Sequence, residues 1–200
     1  MVPYQQNKRF VGRSEVLSDI RTMLFDDSDS KQYTHRIALY GLGGIGKTQT
    51  ALEYVYNSQA EYDRIYWVSA ADPASLLVGY QEIAYRIGIT KMVDSKPIDF
   101  IRQLMQWFRG TTDRWLLVID NLDDLDVLHP KSFLSEAEIR RLHLRQTLLP
   151  ENGSRRHTII TTRNQHAEWI PAEAFVIPLL SPNEAVEMLF VLGGARDHGS

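Results

Sequence analysis

The stretch Gly41-Leu42-Gly43-Gly44-Ile45-Gly46-Lys47-Thr48 decides how this chain is read. It matches the pattern G-x-x-x-x-G-K-[ST] at every fixed position. Glycines let the backbone bend until several N–H groups point inward at phosphate oxygens. The Lys47 ammonium can reach β- and γ-phosphates, and the Thr48 hydroxyl can hold Mg²⁺. A helix beginning here sets the positive end of its dipole beneath the phosphates. The motif predicts binding of a nucleoside triphosphate or diphosphate.

The flanks supply the setting that the motif needs. His35-Arg36-Ile37-Ala38-Leu39-Tyr40 is a short apolar run that reads as a strand entering the loop. Thr50 to Tyr56 carries apolar residues at helical spacing directly after it. Further out, Arg64–Ser69 and Thr158–Thr162 read as strands, Trp115–Ile119 as a central buried strand, and Phe175–Ile177 as a short last one. Pro73 to Ile87 and a stretch opened by Pro97 read as helices, the latter with Ile98, Ile101, Leu104, Met105 and Phe108 on one face. An earlier helix is expected from Ser14 as N-cap, with Val16, Leu17, Ile20 and Leu24 as its apolar face. Ser181 and Glu184 form a capping box for a final helix. Strands alternating with helices predict an α/β fold, a parallel sheet covered on both faces in three layers. Residues 1–34 read as an N-terminal element with a helix and linker, and 35–200 as the nucleotide-binding core, together one structural domain.

Ligands of such sheets sit beyond the carboxyl ends of the strands. Three candidate segments lie there: Gly41–Thr48, Asp120 and Arg163. Asp120 follows four apolar residues, the Walker B pattern, and its carboxylate can hold Mg²⁺ opposite Thr48. Arg163 ends the run Thr161-Thr162-Arg163 and can sense a γ-phosphate with its charged fork. Asn121 stands where many hydrolysing relatives place an acid, and an amide cannot take up a proton. Hydrolysis is therefore expected to be slow, or to need another group. Asp123 and Asp124 read as a solvated turn, and Arg155 and Arg156 as ordinary solvated charge.

Composition narrows the classes. The chain has 200 residues, 44% hydrophobic and 24% charged, with a net charge of −3 and no cysteine. That size can bury the core of an α/β domain. The charge does not suggest a nucleic-acid surface. Without cysteine there are no disulfides or thiolate metal sites, and the six histidines lack ligand spacing. No apolar stretch approaches the ~18 residues of a membrane span, and Met1–Asn7 lacks a signal-peptide core. The expectation is a cytoplasmic chain without nucleic-acid or membrane partners.

Together these elements resemble the NB-ARC domains of STAND-class P-loop NTPases, found in NOD-like receptors of plants and fungi and in apoptotic activators. Arg9-Phe10-Val11-Gly12-Arg13 is similar to the family's "hhGR" element, and Tyr66-Trp67-Val68-Ser69 to its "hhWVsv" strand. Thr161-Thr162-Arg163 is similar to its sensor, and Leu179 to Phe190 to its "L-s-x-x-E-A-x-x-L-F" helix. The style of the sequence is most like fungal members. The resemblance implies an ASCE/AAA+-like core holding ATP or ADP with Mg²⁺. It implies nucleotide contacts at Phe10, Val11, Gly12 and Arg13, which wrap the adenine, and at Gly41, Leu42, Gly43, Gly44, Ile45, Gly46, Lys47, Thr48 and Gln49. It gives Lys47, Asp120 and Arg163 the catalytic roles and Thr48 and Asp120 the metal. It implies a switch between ADP and ATP states and a homo-oligomer in the active state. It also implies an effector domain and repeats on either side, with the chain a piece excised before the family's helical subdomain. Alternatives are an AAA+-type remodeller, which would need an acid after Asp120, and a scaffold with permanently bound ADP. A GTPase is disfavoured, because no N-K-x-D element is present. Residues 129–149 read as an extra segment, with a helix over Ser135–Leu142, taken as a surface excursion.

Overall fold

The structure, a computed structural model, describes residues 2–28, 33–89, 97–129 and 148–193. The helix expected over Ser135–Leu142 lies outside the described residues. In chain order the elements are α1 (Ser14–Leu24), β1 (Arg36–Tyr40), α2 (Lys47–Asn57), β2 (Arg64–Ser69), α3 (Pro73–Arg86), α4 (Pro97–Gly110), β3 (Trp115–Asp120), β4 (Arg156–Thr162), β5 (Glu173–Val176) and α5 (Pro182–Gly193).

The strands form one sheet in the order β2-β3-β4-β1-β5, with every neighbouring pair parallel. Parallel strands need crossovers, and the helical stretches between them supply these. β4 lies between β1, which feeds the glycine loop, and β3, which ends in Asp120. Alternation along each strand splits the core into two. Ile37, Leu39, Leu116, Val118 and Ile159 face α1 and α2, where Ile20, Leu24, Leu52 and Val55 meet them. Ala38, Leu117, Ile119 and Ile160 face α3 and α4, where Leu76, Tyr80, Ile83, Leu104 and Phe108 pack. β3 is buried along its whole length, as a central parallel strand covered on both faces must be. The result is the expected α/β/α arrangement.

Element ends follow local chemistry. Asp72 accepts from Ser75 N at 2.8 Å and Pro73 opens the first turn of α3. Ser181 and Glu184 exchange backbone–side-chain bonds at 2.8 and 3.3 Å, the capping box expected for α5. α1 differs from expectation. Ser14 is its first helical residue rather than its cap, and Arg13 holds the cap position at φ 62° with no side-chain bond into the helix. The Arg13 side chain is committed elsewhere. Among the described residues no helix is long and apolar enough to cross a membrane.

Candidate functional site

The carboxyl ends of β1, β3 and β4 bring the sequence-marked residues together. Beyond β1 the chain turns through the glycine loop and enters α2 at Lys47, with Gly46 in the cap position at φ 94°. That backbone conformation is one glycine adopts freely. Lys47 Nζ donates to the carbonyls of Gly41 and Leu42 at 2.8 and 2.9 Å, so its stem folds back over the loop. Burial pulls its pKa below the ordinary lysine value, opposed by Asp123, deepened by Arg163 and opposed again by Asp120. The ammonium is thus placed among the charges of the other strand ends.

Beyond β3, the buried Asp120 carboxylate accepts from Thr48 Oγ1 at 2.8 Å and from Thr161 Oγ1 at 2.5 Å, both on Oδ1. Thr161 Oγ1 in turn accepts from Asn121 N at 3.0 Å. Asn121 itself has φ 63°. Asparagine enters the left-handed region at lower cost than most residues, so the amide at this position also has a conformational reason. Thr161 escaped the sequence reading as a functional side chain. Its signal was its place in the Thr-Thr-Arg run at the end of a buried strand.

Beyond β4, Arg163 crosses toward the loop, with its Cδ 3.5 Å from where a Cβ on Gly43 would stand. Its backbone N and Nε donate to the two carboxylate oxygens of Asp123 at 2.6 and 2.7 Å, and Nη2 lies 2.6 Å from Oδ2. Asp123 is therefore not the solvated turn residue expected, because Arg163 grips it from three positions. Burial pushes its carboxyl up, but the Arg163 bonds outweigh burial and hold it below the ordinary carboxylate value. Asp124 is exposed and caps the turn that follows, accepting from Asp126 N at 2.9 Å.

Beside the loop lies a cleft of about 540 Å³, a size suited to a small-molecule ligand. Phe10, Val11, Arg13, Gly44, Ile45, Gly46 and Gln49 line it, joined by Asn7, Arg9, Leu179, Leu180 and Met188. The walls are mainly apolar. Arg13 points its guanidinium at the loop, donating to Ile45 O and, at 2.8 Å, to Thr50 Oγ1. Burial lowers its pKa, opposed by the charge of Glu184. Gln49 Oε1 accepts from Asn7 Nδ2 at 3.1 Å, tying α2 to the N-terminal segment. Leu42 is exposed at the loop tip.

The donor set fits a hard divalent cation. Thr48 and Asp120 present oxygens side by side, and such a cation needs few protein ligands when water and phosphate complete its shell. Among the described residues no group of three or more His, Cys, Asp or Glu could hold a metal instead. A Cβ added at Gly44 would meet nothing within 4 Å, so that face of the loop is open to a ligand.

A parallel sheet with a glycine loop after β1, an acid after the next strand but one, and an arginine between them defines a P-loop NTPase fold. Solved structures share it. The Aeropyrum pernix ORC1 protein, solved in complex with DNA, aligns at TM-score 0.55 and 16% identity over 94% of this chain and 50% of its own. The Aeropyrum pernix ORC2 protein, solved as ADPNP–ADP complexes, aligns at TM-score 0.53 and 16% identity over 96% and 54%. The NB-ARC domain model matches residues 13–198, and the chain belongs to that family. It is 32% identical to a nucleotide-binding leucine-rich repeat (NLR)-like protein of Hyaloscypha variabilis over 181 residues. That match covers 88% of this chain and 18% of the relative, so the chain spans under a fifth of that relative's length. Family and fold make the chain a P-loop nucleotide-binding module.

Proposed function

We propose that this chain is the ADP/ATP-binding switch of an NLR-type signalling protein. The observation that carries the reading is the 2.8 Å bond from Thr48 to Asp120 beneath a glycine loop that Arg163 overlies. Lys47 would give up its bonds to Gly41 and Leu42 carbonyls for phosphate oxygens, and Thr48 and Asp120 would hold Mg²⁺. When bound, that ion neutralises charge on the phosphates. The Phe10, Val11, Leu179 and Met188 walls suit an adenine ring, and the ORC2 neighbour's adenine nucleotides support that choice.

A switch needs a ligand that interacts differently with its two states. A γ-phosphate would compete with Asp123 for the Arg163 fork, which ADP would leave undisturbed. Asn121 cannot act as a base, so ATP would turn over slowly. Cytoplasmic signalling, oligomerisation in the ATP state and coupling to effector and repeat domains belong to this proposal. They rest on the family and on the NLR-like relative. A faster, remodeller-type hydrolase has one observation in its favour, the acid Asp123 at the phosphate end. Its commitment to Arg163 argues against that role.

The test is to denature the purified protein, identify the released nucleotide, and measure turnover with and without Mg²⁺. ADP or ATP, with turnover far below the roughly 10 per second of ordinary enzymes, is expected. GDP, or turnover at that ordinary rate, would overturn the reading.

A further inference from the structure

The two apolar walls of the cleft come from opposite ends of the chain, and one side chain joins them. Phe10 and Val11 stand on the N-terminal segment, while Leu179, Leu180 and Met188 stand before and along α5. Glu184 Oε1 accepts from Arg13 N at 2.6 Å, a contact between residues 171 positions apart. Its Oε2 accepts from Ser181 N at 2.8 Å. Each carboxylate oxygen thus serves a different wall. Gly12 makes the approach possible. It sits at φ +71°, and a Cβ there would stand 2.5 Å from Glu184 Oε1 and 2.7 Å from its Cγ. Only glycine combines that conformation with that closeness. From Arg13 the connection runs on to the loop, through guanidinium bonds to Ile45 O and Thr50 Oγ1.

We propose that Glu184 is a positioning residue that clasps the two walls of the cleft through Arg13 and thereby sets the affinity for the adenine end of the nucleotide. The proposal rests on the nucleotide-binding reading above. Glu184 does not line the cleft, so its effect passes through the walls it holds. With the clasp in place the walls are ordered before the ligand arrives, and binding does not bear the cost of ordering them. Without it, Arg13 N loses its partner and the N-terminal wall is free of α5. The clasp is separable from the helix cap. Ser181 Oγ accepts from Glu184 N at 3.3 Å and supports the start of α5 without touching Arg13.

The experiment titrates ADP into the wild-type chain and into Glu184→Ala, Glu184→Gln and Ser181→Ala, with the urea midpoint of each as a folding check. Loss of a carboxylate–amide bond that preorganises the cleft should weaken ADP binding on the order of tenfold in Glu184→Ala. Glu184→Gln, which keeps one acceptor oxygen and most of the shape, should fall between it and wild type. Ser181→Ala should lower the urea midpoint while leaving ADP affinity at the wild-type value. Gly12→Ala, whose Cβ would push Glu184 aside, should weaken ADP like Glu184→Ala. Wild-type affinity in Glu184→Ala would overturn the proposal. So would equal weakening by Ser181→Ala, which would assign the effect to the cap. A wild-type chain that binds no ADP would instead sink the nucleotide reading itself, before the clasp is at issue.

Discussion

At the carboxyl end of the sheet, Asp120, Asp123, Lys47 and Arg163 stand around an open glycine loop. At the amino end, polar side chains are sealed in among one another and among uncharged partners. Buried His157 shares a 2.7 Å hydrogen bond between Nδ1 and Tyr62 Oη, stacks on His35 at 5.6 Å and meets Phe25 edge-on at 4.5 Å. His35 Nδ1 pairs with Leu24 O at 2.9 Å. Nearby, Arg36 gives its guanidinium to Asn152 Oδ1 and to the carbonyls of Pro150 and Pro171, all of them uncharged partners. Burial lowers its pKa to about 10. The amino end packs its polar side chains on one another and on backbone carbonyls, as a support of the fold. The carboxyl end sets its charged groups around an open loop, where a ligand can exchange partners with them. Opposite-signed groups arranged around a loop of backbone amides are what a phosphate chain with its cation would complete.

The largest effect that separates the two ends should come from Asp120→Ala. It removes the acceptor of Thr48 and Thr161 and, with it, the carboxylate proposed to hold Mg²⁺. Affinity for Mg²⁺·ATP is predicted to fall at least about a hundredfold, from bonds worth roughly 1.5–3 kcal/mol each. Stability should change by less than about 1 kcal/mol, because the carboxylate's desolvation cost disappears with it. Calorimetric titration and urea unfolding on the same sample check both halves. A large loss of stability with intact binding would reverse the roles assigned to the two ends.

The second effect belongs to the amino end. Burial, reinforced by His35, lowers the His157 pKa from 6.5 to about 4. In the unfolded chain it titrates near 6.5. Between those values the unfolded chain binds a proton that the folded chain does not, so stability rises with pH. Folding should therefore lose on the order of 3 kcal/mol as pH falls from about 6.5 to 4. His157→Asn should be less stable at pH 7 yet show a shallower slope in that window. Parallel slopes in urea midpoints measured between pH 7 and 4.5 would remove His157 as the cause.

A smaller effect is expected from Arg163→Ala, roughly tenfold on ATP and little on ADP, since only a γ-phosphate would engage the fork. Equal losses for both nucleotides, measured by competition with a fluorescent analogue, would deny Arg163 the sensing role. The smallest concerns the rim of the amino end. Arg64 and Asp113 pair at 2.5 Å but are 45% and 32% exposed. Arg64→Ala should cost no more than about 1 kcal/mol of stability and leave nucleotide affinity unchanged.

The carboxyl end was legible in the sequence because its residues sit in short local patterns. The glycine loop, the apolar run ending in Asp120 and the Thr-Thr-Arg run each announce themselves within a few positions. Strand and helix types followed from periodicity, and β2 falls on Arg64–Ser69 as expected. What was not legible depends on pairs far apart. Asp123 looked like a turn residue until Arg163, 40 positions on, met it. Arg13 lines the cleft, but nothing local shows that its guanidinium also reaches Ile45 and Thr50. Glu184 announced itself as a helix cap, and nothing local shows that its other oxygen reaches Arg13. His35, Tyr62 and His157 lie on separate elements, so no spacing could have grouped them.

The central claim is that the loop after β1 grips phosphate, and Lys47 is its least replaceable part. The most direct test is to titrate Mg²⁺·ATP into the wild-type chain and into Lys47→Ala, with urea unfolding as the folding control. The account predicts saturable binding by the wild type, loss of at least about a hundredfold in the variant, and matching urea midpoints. Equal ATP affinity in the two proteins would contradict it.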